Sequence, residues 1–191
     1  MNELQKSEWH EADIVGFSER GPVGCLINLL TFGVPFWGIG HVGTIARHVD
    51  ELLLYHSTAA QSLPCAITGK FVDGVQAQRP DEFIAQYPGR IWRYPSKRVP
   101  PSEALTWWLE DKLGTAYDYV GAMEARKTPL AWLHRKLTPE SLNRIFCSEY
   151  LAAMLRYLGW MDFKDASEVT PNALCRSVVR AGVYGKPERV K

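Results

Sequence analysis

The sequence predicts an α+β fold in which strands come first and helices follow. Up to about Tyr94 the chain is rich in Val, Ile, Tyr and Trp with Gly and Pro between the runs, a composition typical of short strands. After Pro100-Pro101, apolar residues recur at helical spacing instead. With 191 residues, 46% of them hydrophobic, we expect a single domain spanning residues 1–191.

Five strands are predicted in the first half of the chain, each bounded by turn residues. They are ADIVGF, HVGTIA, ELLLYH, a segment around Asp73-Gly74-Val75, and GRIWRY. A turn near His48 to Asp50 would make the second and third strands antiparallel neighbours. Sheet-forming and helix-forming segments are thus separated along the sequence.

Several helices are predicted in the second half from caps and stop signals. Ser102 is a fair N-cap for SEALTWWLEDKLG, and Gly114 stands just past its end. Further helices are expected near Tyr119, after Thr138-Pro139, from Cys147, and from Thr170-Pro171 through Val179. Residues 126–144 look like a helical insertion, for which a surface embellishment is a simpler explanation than a lid.

Composition excludes several classes of function. The net charge is +1, so nothing indicates a partner such as nucleic acid or an anionic membrane. Cys25, Cys65, Cys147 and Cys175 are widely and unevenly spaced, which suggests neither a disulfide framework nor a metal site. We therefore expect no metal and no organic cofactor.

The termini and the apolar runs predict a protein that is not inserted in a membrane. The opening MNELQKSEWHEAD lacks the apolar core of a secretory signal. The longest apolar stretch, residues 23–40, is interrupted by glycines and a proline and is too broken for a spanning helix. We expect a cytoplasmic location, with export by another factor left open, and the oligomeric state is not predicted.

Cys147 is the most informative residue, because it opens the amphipathic pattern FCSEYLAAMLRYLG. A thiol at a helix N-terminus lies at the positive end of the helix dipole, which favours the nucleophilic thiolate. The alternative is a buried structural cysteine, which is the commoner role for an isolated cysteine.

Two histidines complete the parts of a nucleophilic site. His41 stands between glycines in GHVG, where other groups can approach closely, and suits a general base. His56 ends the next predicted strand and would orient His41 if the two rings share a face. A half-buried strand histidine is the alternative for His56, and the backbone N–H of Cys147 is a candidate oxyanion donor.

Several stretches in the same order resemble the circularly permuted NlpC-type papain-like hydrolases, the YiiX-like group related to lecithin–retinol acyltransferase. They are ADIVGF, GHVGTIA, LLLYHSTA, GTAYDYVG, FCSEYLAAML and TPNALCRSV. The resemblance implies an antiparallel five- or six-stranded sheet packed on helices. It also implies Cys147 as nucleophile, His41 as base and His56 in the third polar position, where relatives often carry a carboxylate.

The resemblance further implies a cysteine peptidase or amidase that attacks a carbonyl through an acyl-enzyme, with bacterial cell-wall peptides the family's commonest target. Tyr117, Asp118 and Tyr119 resemble a Tyr-Asp-Tyr element near the family's site and are candidate substrate-binding residues. FCSEY differs from the Asn-Cys-Glu pattern of the acyltransferase branch, which favours peptide over lipid chemistry.

Two alternatives stay open. The apolar run from Leu26 to Ile39, which includes Phe32, Phe36 and Trp37, is most simply a core helix followed by a buried loop. It could instead form an apolar wall for an acyl chain. That wall would favour lipid or thioester hydrolysis or transfer, with Trp37 in contact with substrate. A catalytically idle module that only binds ligands in the cleft is the alternative from another class.

Overall fold

The computed structural model of this chain describes residues 8–18, 38–59, 63–119 and 144–191. Its elements, numbered here within those ranges, are given in chain order. They are β1 (Ile14–Ser18), β2 (His41–His48), β3 (Glu51–Thr58), β4 (Gly74–Gln78), α1 (Pro80–Gln86), β5 (Arg90–Tyr94), α2 (Ser102–Asp111), α3 (Cys147–Tyr157), a 3-10 turn (Ala166–Glu168), α4 (Pro171–Arg180) and β6 (Glu188–Arg189).

The six strands form one antiparallel sheet in the order β4-β3-β2-β1-β5-β6. The first half of the chain therefore supplies five of the six strands, and the predicted α+β class with an antiparallel sheet is confirmed. The β2–β3 hairpin turns at Val49 and Asp50, between the paired residues His48 and Glu51. This is the predicted position of the turn.

One helix was not predicted. The seven-residue α1 lies between β4 and β5, within the half of the chain expected to hold only strands. Pro80 occupies its first turn, Asp81 and Glu82 follow, and Phe83 is its buried anchor. A segment this short carries too few apolar positions to show helical periodicity, so its sequence pattern did not reveal it.

The predicted helix starts have mixed outcomes. Ser102 is not an N-cap, because the cap position belongs to Pro101 and the Ser102 hydroxyl donates to Glu11. Thr170 does cap α4, where its Oγ1 accepts from the N–H of Ala173 at 3.2 Å. The helices expected near Tyr119 and after Thr138-Pro139 fall almost entirely outside the described residues, as does the insertion at 126–144.

Opposite faces of the sheet are covered by different elements. On one face, α2, α3 and α4 contribute to a large cluster that includes Val42, Ala46, Leu53, Tyr55 and Cys147. On the other, α1 presents Phe83 to a smaller cluster of Val15, Phe17, Ile45, Leu54 and Ile91. Since strand side chains alternate between faces, neighbouring residues of β2 belong to different clusters.

Gly74, the first residue of β4, lies at a position where we expect only glycine to be tolerated. Its φ is 141°, and a Cβ there would meet the carbonyl oxygen of Thr115 at 1.9 Å. We expect Gly74→Ala to lower the free energy of unfolding by about 3 kcal/mol or more, because backbone strain adds to overpacking. Chemical denaturation measures this loss.

The matched control for Gly74→Ala is Gly69→Ala. Gly69 also has a positive φ, 68°, but an added Cβ would meet nothing within 4 Å. Only the cost of a left-handed backbone applies there, about 1 kcal/mol. Equal losses for the two variants would show that the contact with Thr115 is not the dominant effect.

None of the helices in the described ranges is long and apolar enough to cross a membrane.

Candidate active site

The two predicted histidines meet on one face of the sheet. The register of the β2–β3 hairpin brings them side by side, and the Nε2 of His41 lies 2.8 Å from the Nδ1 of His56. Their ring centroids are 5.1 Å apart and the planes are inclined by 65°. The contact has the geometry of a hydrogen bond, so one ring nitrogen must donate a hydrogen and the other must accept it.

The histidine pair lies in an aromatic environment that also contains one polar partner. Phe17 is 5.4 Å from the His41 ring, and Phe83 is 4.9 Å from the His56 ring, measured between centroids. On its far side, the Nε2 of His56 lies 3.2 Å from the Oε1 of Gln78. The two imidazoles therefore belong to a three-residue chain of hydrogen bonds, His41–His56–Gln78.

Burial keeps both imidazoles neutral at pH 7. It lowers the pKa of His41 well below its ordinary value, and the nearby His56 lowers that pKa further. Burial also lowers the pKa of His56 to about 4, although the hydrogen bond to Gln78 opposes the shift. A neutral imidazole has one donor and one acceptor nitrogen, which is the state that a general base requires.

Cys147 is the first residue of α3, as predicted. The helix begins there because Glu149, in its first turn, reaches back so that its Oε2 accepts from the N–H of Phe146 at 3.4 Å. The hydroxyl of Ser148 donates to the carbonyl oxygen of Val169 at 2.6 Å and ties this end of the helix to the 3-10 turn. The hydrogen bonds of Ser148 and Glu149, the two residues after Cys147, thus fix the position of the thiol.

The thiol is not ionised at neutral pH, which corrects the expectation from the helix dipole. Cys147 is only 3% exposed, and burial raises the pKa of its thiol to about 11. Backbone hydrogen bonds from Val42 and Ser148 lower this pKa but do not overcome the burial. Transfer of the thiolate out of water is therefore the larger effect here.

The segment before α3 contacts β2 and β3 where their pairing stops. The paired register ends at Thr44 and Tyr55, although both strands continue beyond it. Past that point, the Ser57 hydroxyl donates to the carbonyl oxygen of Ile145 at 2.6 Å, and the N–H of Val42 is directed to the sulfur of Cys147. The nucleophile candidate consequently lies against the residue that follows His41.

Cys147 and the histidine pair nevertheless approach β2 from different sides. His41 and His56 pack with Phe17 and Phe83, on the face of the smaller cluster, whereas Cys147 packs in the larger cluster. Among the described residues, no hydrogen bond joins the thiol to either ring. The structure therefore brings His41 and His56 together and places Cys147 beside the β2 backbone, one residue along.

The predicted substrate-binding residues are placed in part. Tyr117 is close enough for a charge on Cys147 to raise its pKa, after the larger effect of burial. Its ring contacts that of Tyr119 at 5.0 Å, and the Tyr119 hydroxyl donates to Asp73 at 2.8 Å. Asp118, between them, is half-buried, and Trp37 lies outside the described residues.

Sequence reasoning missed Gln76 and Gln78 on β4. Both are buried, and the Nε2 of Gln78 donates to the Oε1 of Gln76 at 3.2 Å. The signal was available in GVQAQ, where two amides alternate with small apolar residues and so occupy one face of the strand. Two buried amides on this edge strand of the sheet need partners, and here one of the partners is His56.

No group of three or more His, Cys, Asp or Glu side chains within the described ranges is arranged to hold a metal ion.

Reactivity toward a simple alkylating agent should follow these environments. Cys65 is only 1% exposed but lines a cavity of about 210 Å³ through which a small reagent can approach. Although burial raises its thiol pKa, hydrogen bonds from Ala77, Thr68 and Ile67 leave that pKa below its ordinary value. We expect iodoacetamide at pH 7 to modify Cys65 before Cys147, because the reagent requires a thiolate. Mass mapping of a time course measures the order.

The pH dependence of the same reaction is the control. Below its pKa of about 11, the rate at Cys147 should rise about tenfold per pH unit. Cys175, whose pKa burial raises to about 12, should react more slowly still. Rapid modification of Cys147 at pH 7 would contradict the raised pKa of this thiol.

Comparison with known proteins gives a likeness in fold. No family model and no curated protein matches the sequence. Among solved structures, the chain is similar to YiiX from Escherichia coli O157:H7, described as a metalloprotein, with a TM-score of 0.54. The match covers 81% of this chain and 68% of YiiX at 14% identity. At that identity the likeness concerns the fold alone.

Proposed function

We propose that this chain is a cysteine hydrolase with a papain-like, permuted NlpC-type fold, which cleaves an amide or peptide bond through an acyl-enzyme. One observation carries the proposal. The thiol of Cys147 accepts from the backbone of Val42, next to His41, and His41 is hydrogen-bonded to His56 at 2.8 Å. The candidate nucleophile thus lies against the same end of the β2–β3 hairpin as the candidate base and its orienting group, although on the other side of the β2 backbone.

The protonation states favour attack assisted by a general base over a preformed ion pair. At pH 7 the thiol and both imidazoles are neutral. When the sulfur attacks the substrate carbonyl, the thiol proton passes to His41, and the carbonyl oxygen becomes an oxyanion. The base and the proton it abstracts must come within about 3 Å, a contact that commonly tightens only when substrate is bound.

Backbone amides at the helix start suit the oxyanion. The N–H of Cys147 lies at the positive end of α3, where developing negative charge is stabilised. Collapse of the tetrahedral intermediate breaks the amide bond, and the leaving amine takes the proton from His41. Water then hydrolyses the thioester with His41 again acting as base, which releases the acid and restores the thiol.

Bacterial cell-wall peptides are the proposed substrate class, on the resemblance of the sequence motifs to the NlpC-type group. The likeness in fold to YiiX supports the proposed architecture and carries no argument about the substrate. Tyr117 lies near the thiol, and the polar groups beside it, Tyr119 and Asp73, suit the amides of a peptide better than an acyl chain.

The test is capture of the acyl-enzyme. The protein is incubated with a panel of peptidyl and fatty-acyl electrophiles, and the modified cysteine is mapped by mass. We expect modification of Cys147 by peptidyl probes, a strong reduction in His41→Ala, and no effect of Cys175→Ala, which removes another buried thiol. Preference for fatty-acyl probes would move the assignment to lipid or thioester acyl chemistry.

A binding module without turnover is the second candidate, and the buried thiol favours it. A side chain that is 3% exposed with a pKa of about 11 is typical of a structural cysteine. This candidate predicts that no electrophile in the panel modifies Cys147 while peptides still bind. Binding that persists in Cys147→Ser, together with no acyl-enzyme, would establish it over the hydrolase.

A further inference from the structure

We propose that Gln78 is a positioning residue that determines which nitrogen of His41 is basic. The proposal rests on the hydrolase function, in which His41 is the base. Within the described residues, the side-chain hydrogen bonds of Gln78 go to His56, Leu63 and Gln76, and none goes to Cys147 or His41. Gln78 acts through His56, to which it is joined by the contact of 3.2 Å between Oε1 and Nε2.

The orientation of the Gln78 amide is fixed by backbone carbonyls. Its Nε2 lies 3.1 Å from the carbonyl oxygen of Leu63, and a carbonyl oxygen can only accept a hydrogen bond. The second hydrogen on that nitrogen is donated to the Oε1 of Gln76, whose own Nε2 donates to the carbonyl oxygen of Val72 at 3.3 Å. The NH₂ group of Gln78 therefore faces Leu63 and Gln76, and its oxygen faces His56.

The proton positions on both histidines follow from that oxygen. Because Oε1 of Gln78 is an acceptor, the Nε2 of His56 must carry a hydrogen. His56 is neutral at pH 7, so its Nδ1 has a lone pair and accepts from the Nε2–H of His41. The remaining nitrogen of His41, Nδ1, is then the unprotonated one that can accept a proton from the thiol.

Burial makes this arrangement the one that satisfies every group. Gln76, Gln78 and His56 are each at most 1% exposed, so each needs its hydrogen-bond partners within the protein. If His56 were protonated at Nδ1 instead, the lone pair of its Nε2 would face the oxygen of Gln78, and His41 would have to move its hydrogen from Nε2 to Nδ1. The carbonyls of Leu63 and Val72 thus determine which nitrogen of His41 is basic. They act through the side chains of Gln76, Gln78 and His56.

The first test is spectroscopic and needs no substrate. Nitrogen-15 chemical shifts of the imidazoles distinguish a protonated from an unprotonated ring nitrogen. We expect both His41 and His56 to be protonated at Nε2 in the wild-type protein at pH 7. A His41 protonated at Nδ1 would overturn the proposal, whatever the activity of the protein.

The second test compares Gln78→Met with Gln76→Met. Both replace a buried amide on β4 by an apolar chain of similar length, but only the first removes the partner of His56. We expect Gln78→Met to give mixed tautomers on both rings and to lower kcat about 10-fold or more with KM little changed. Gln76→Met should have a smaller effect, since Leu63 still orients Gln78.

Gln78→Glu serves as the conservative variant and as a safeguard if Gln78→Met does not fold. A carboxylate keeps the acceptor for His56 Nε2, so we expect His56 to remain protonated at Nε2 and to gain a proton at higher pH than in the wild type. Tautomers and kcat unchanged in Gln78→Met would overturn the proposal. Expected tautomers without turnover in the wild type would instead leave Gln78 as the orienting group and refute the hydrolase.

Discussion

Replacement of His41 by Ala is expected to lower kcat/KM for the proposed hydrolysis by about 10²–10⁴, the range typical of a lost general acid–base. The cause is that the neutral thiol of Cys147, with its pKa of about 11, would lose the base proposed to accept its proton. Circular dichroism should show a folded protein. Steady-state kinetics with a peptide substrate measures the effect.

His48→Ala is the matched control, because His48 ends the same strand. Its Nδ1 lies 2.7 Å from Glu110, away from the proposed site, so turnover should stay within about twofold of the wild type. His56→Ala should cost less activity than His41→Ala, and His56→Asn should recover part of it by keeping a hydrogen-bonding group. Full activity in His41→Ala would exclude His41 as the base.

The free energy of unfolding is expected to fall steeply as the pH drops from about 6.5 to about 4. An unfolded histidine binds its proton near pH 6.5, whereas folded His56 does so only near pH 4. Between these values the unfolded state binds more protons, so stability is present at neutral pH and is lost on acidification. His56 alone accounts for roughly 3 kcal/mol over this interval, and the lowered pKa of His41 adds in the same direction.

Urea denaturation at a series of pH values measures this loss. His56→Gln is the informative comparison, because it removes one of the two buried imidazoles while keeping a polar side chain at a fully buried position. The variant should show a shallower dependence on pH between 6.5 and 4, even if its stability at pH 7 is lower. Parallel curves for the two proteins would show that His56 is not held neutral by burial.

Local patterns predicted most of the elements but not their arrangement. The β2–β3 hairpin could be predicted because both strands and the turn at Val49 and Asp50 are adjacent in sequence. The pairing of β1 with both β2 and β5 depends on contacts between distant segments. Nothing in the short runs ADIVGF and GRIWRY specifies which partner each selects, since β propensity is largely a matter of packing context.

The same distinction explains the outcome at the site. The contact between His41 and His56 follows from a register that the hairpin fixes locally. The pKa of Cys147 depends instead on how completely the rest of the chain covers α3, which a helix start in the sequence does not reveal. Gln78 was missed because its importance arises from partners on β3 and before β4.

The interrupted end of the β2–β3 hairpin has a consequence for the order in which the molecule is assembled. The hairpin is local and can form early, but the segment before α3 that contacts it is made late. Ser57 and Ile145, which are hydrogen-bonded, are 88 residues apart in the chain. A ribosome will therefore have released the histidine pair well before the cysteine is synthesised. Until α3 docks, the amide of Val42 and the hydroxyl of Ser57 lack the partners that this segment supplies, so the nascent N-terminal half exposes polar groups that the C-terminal half later covers.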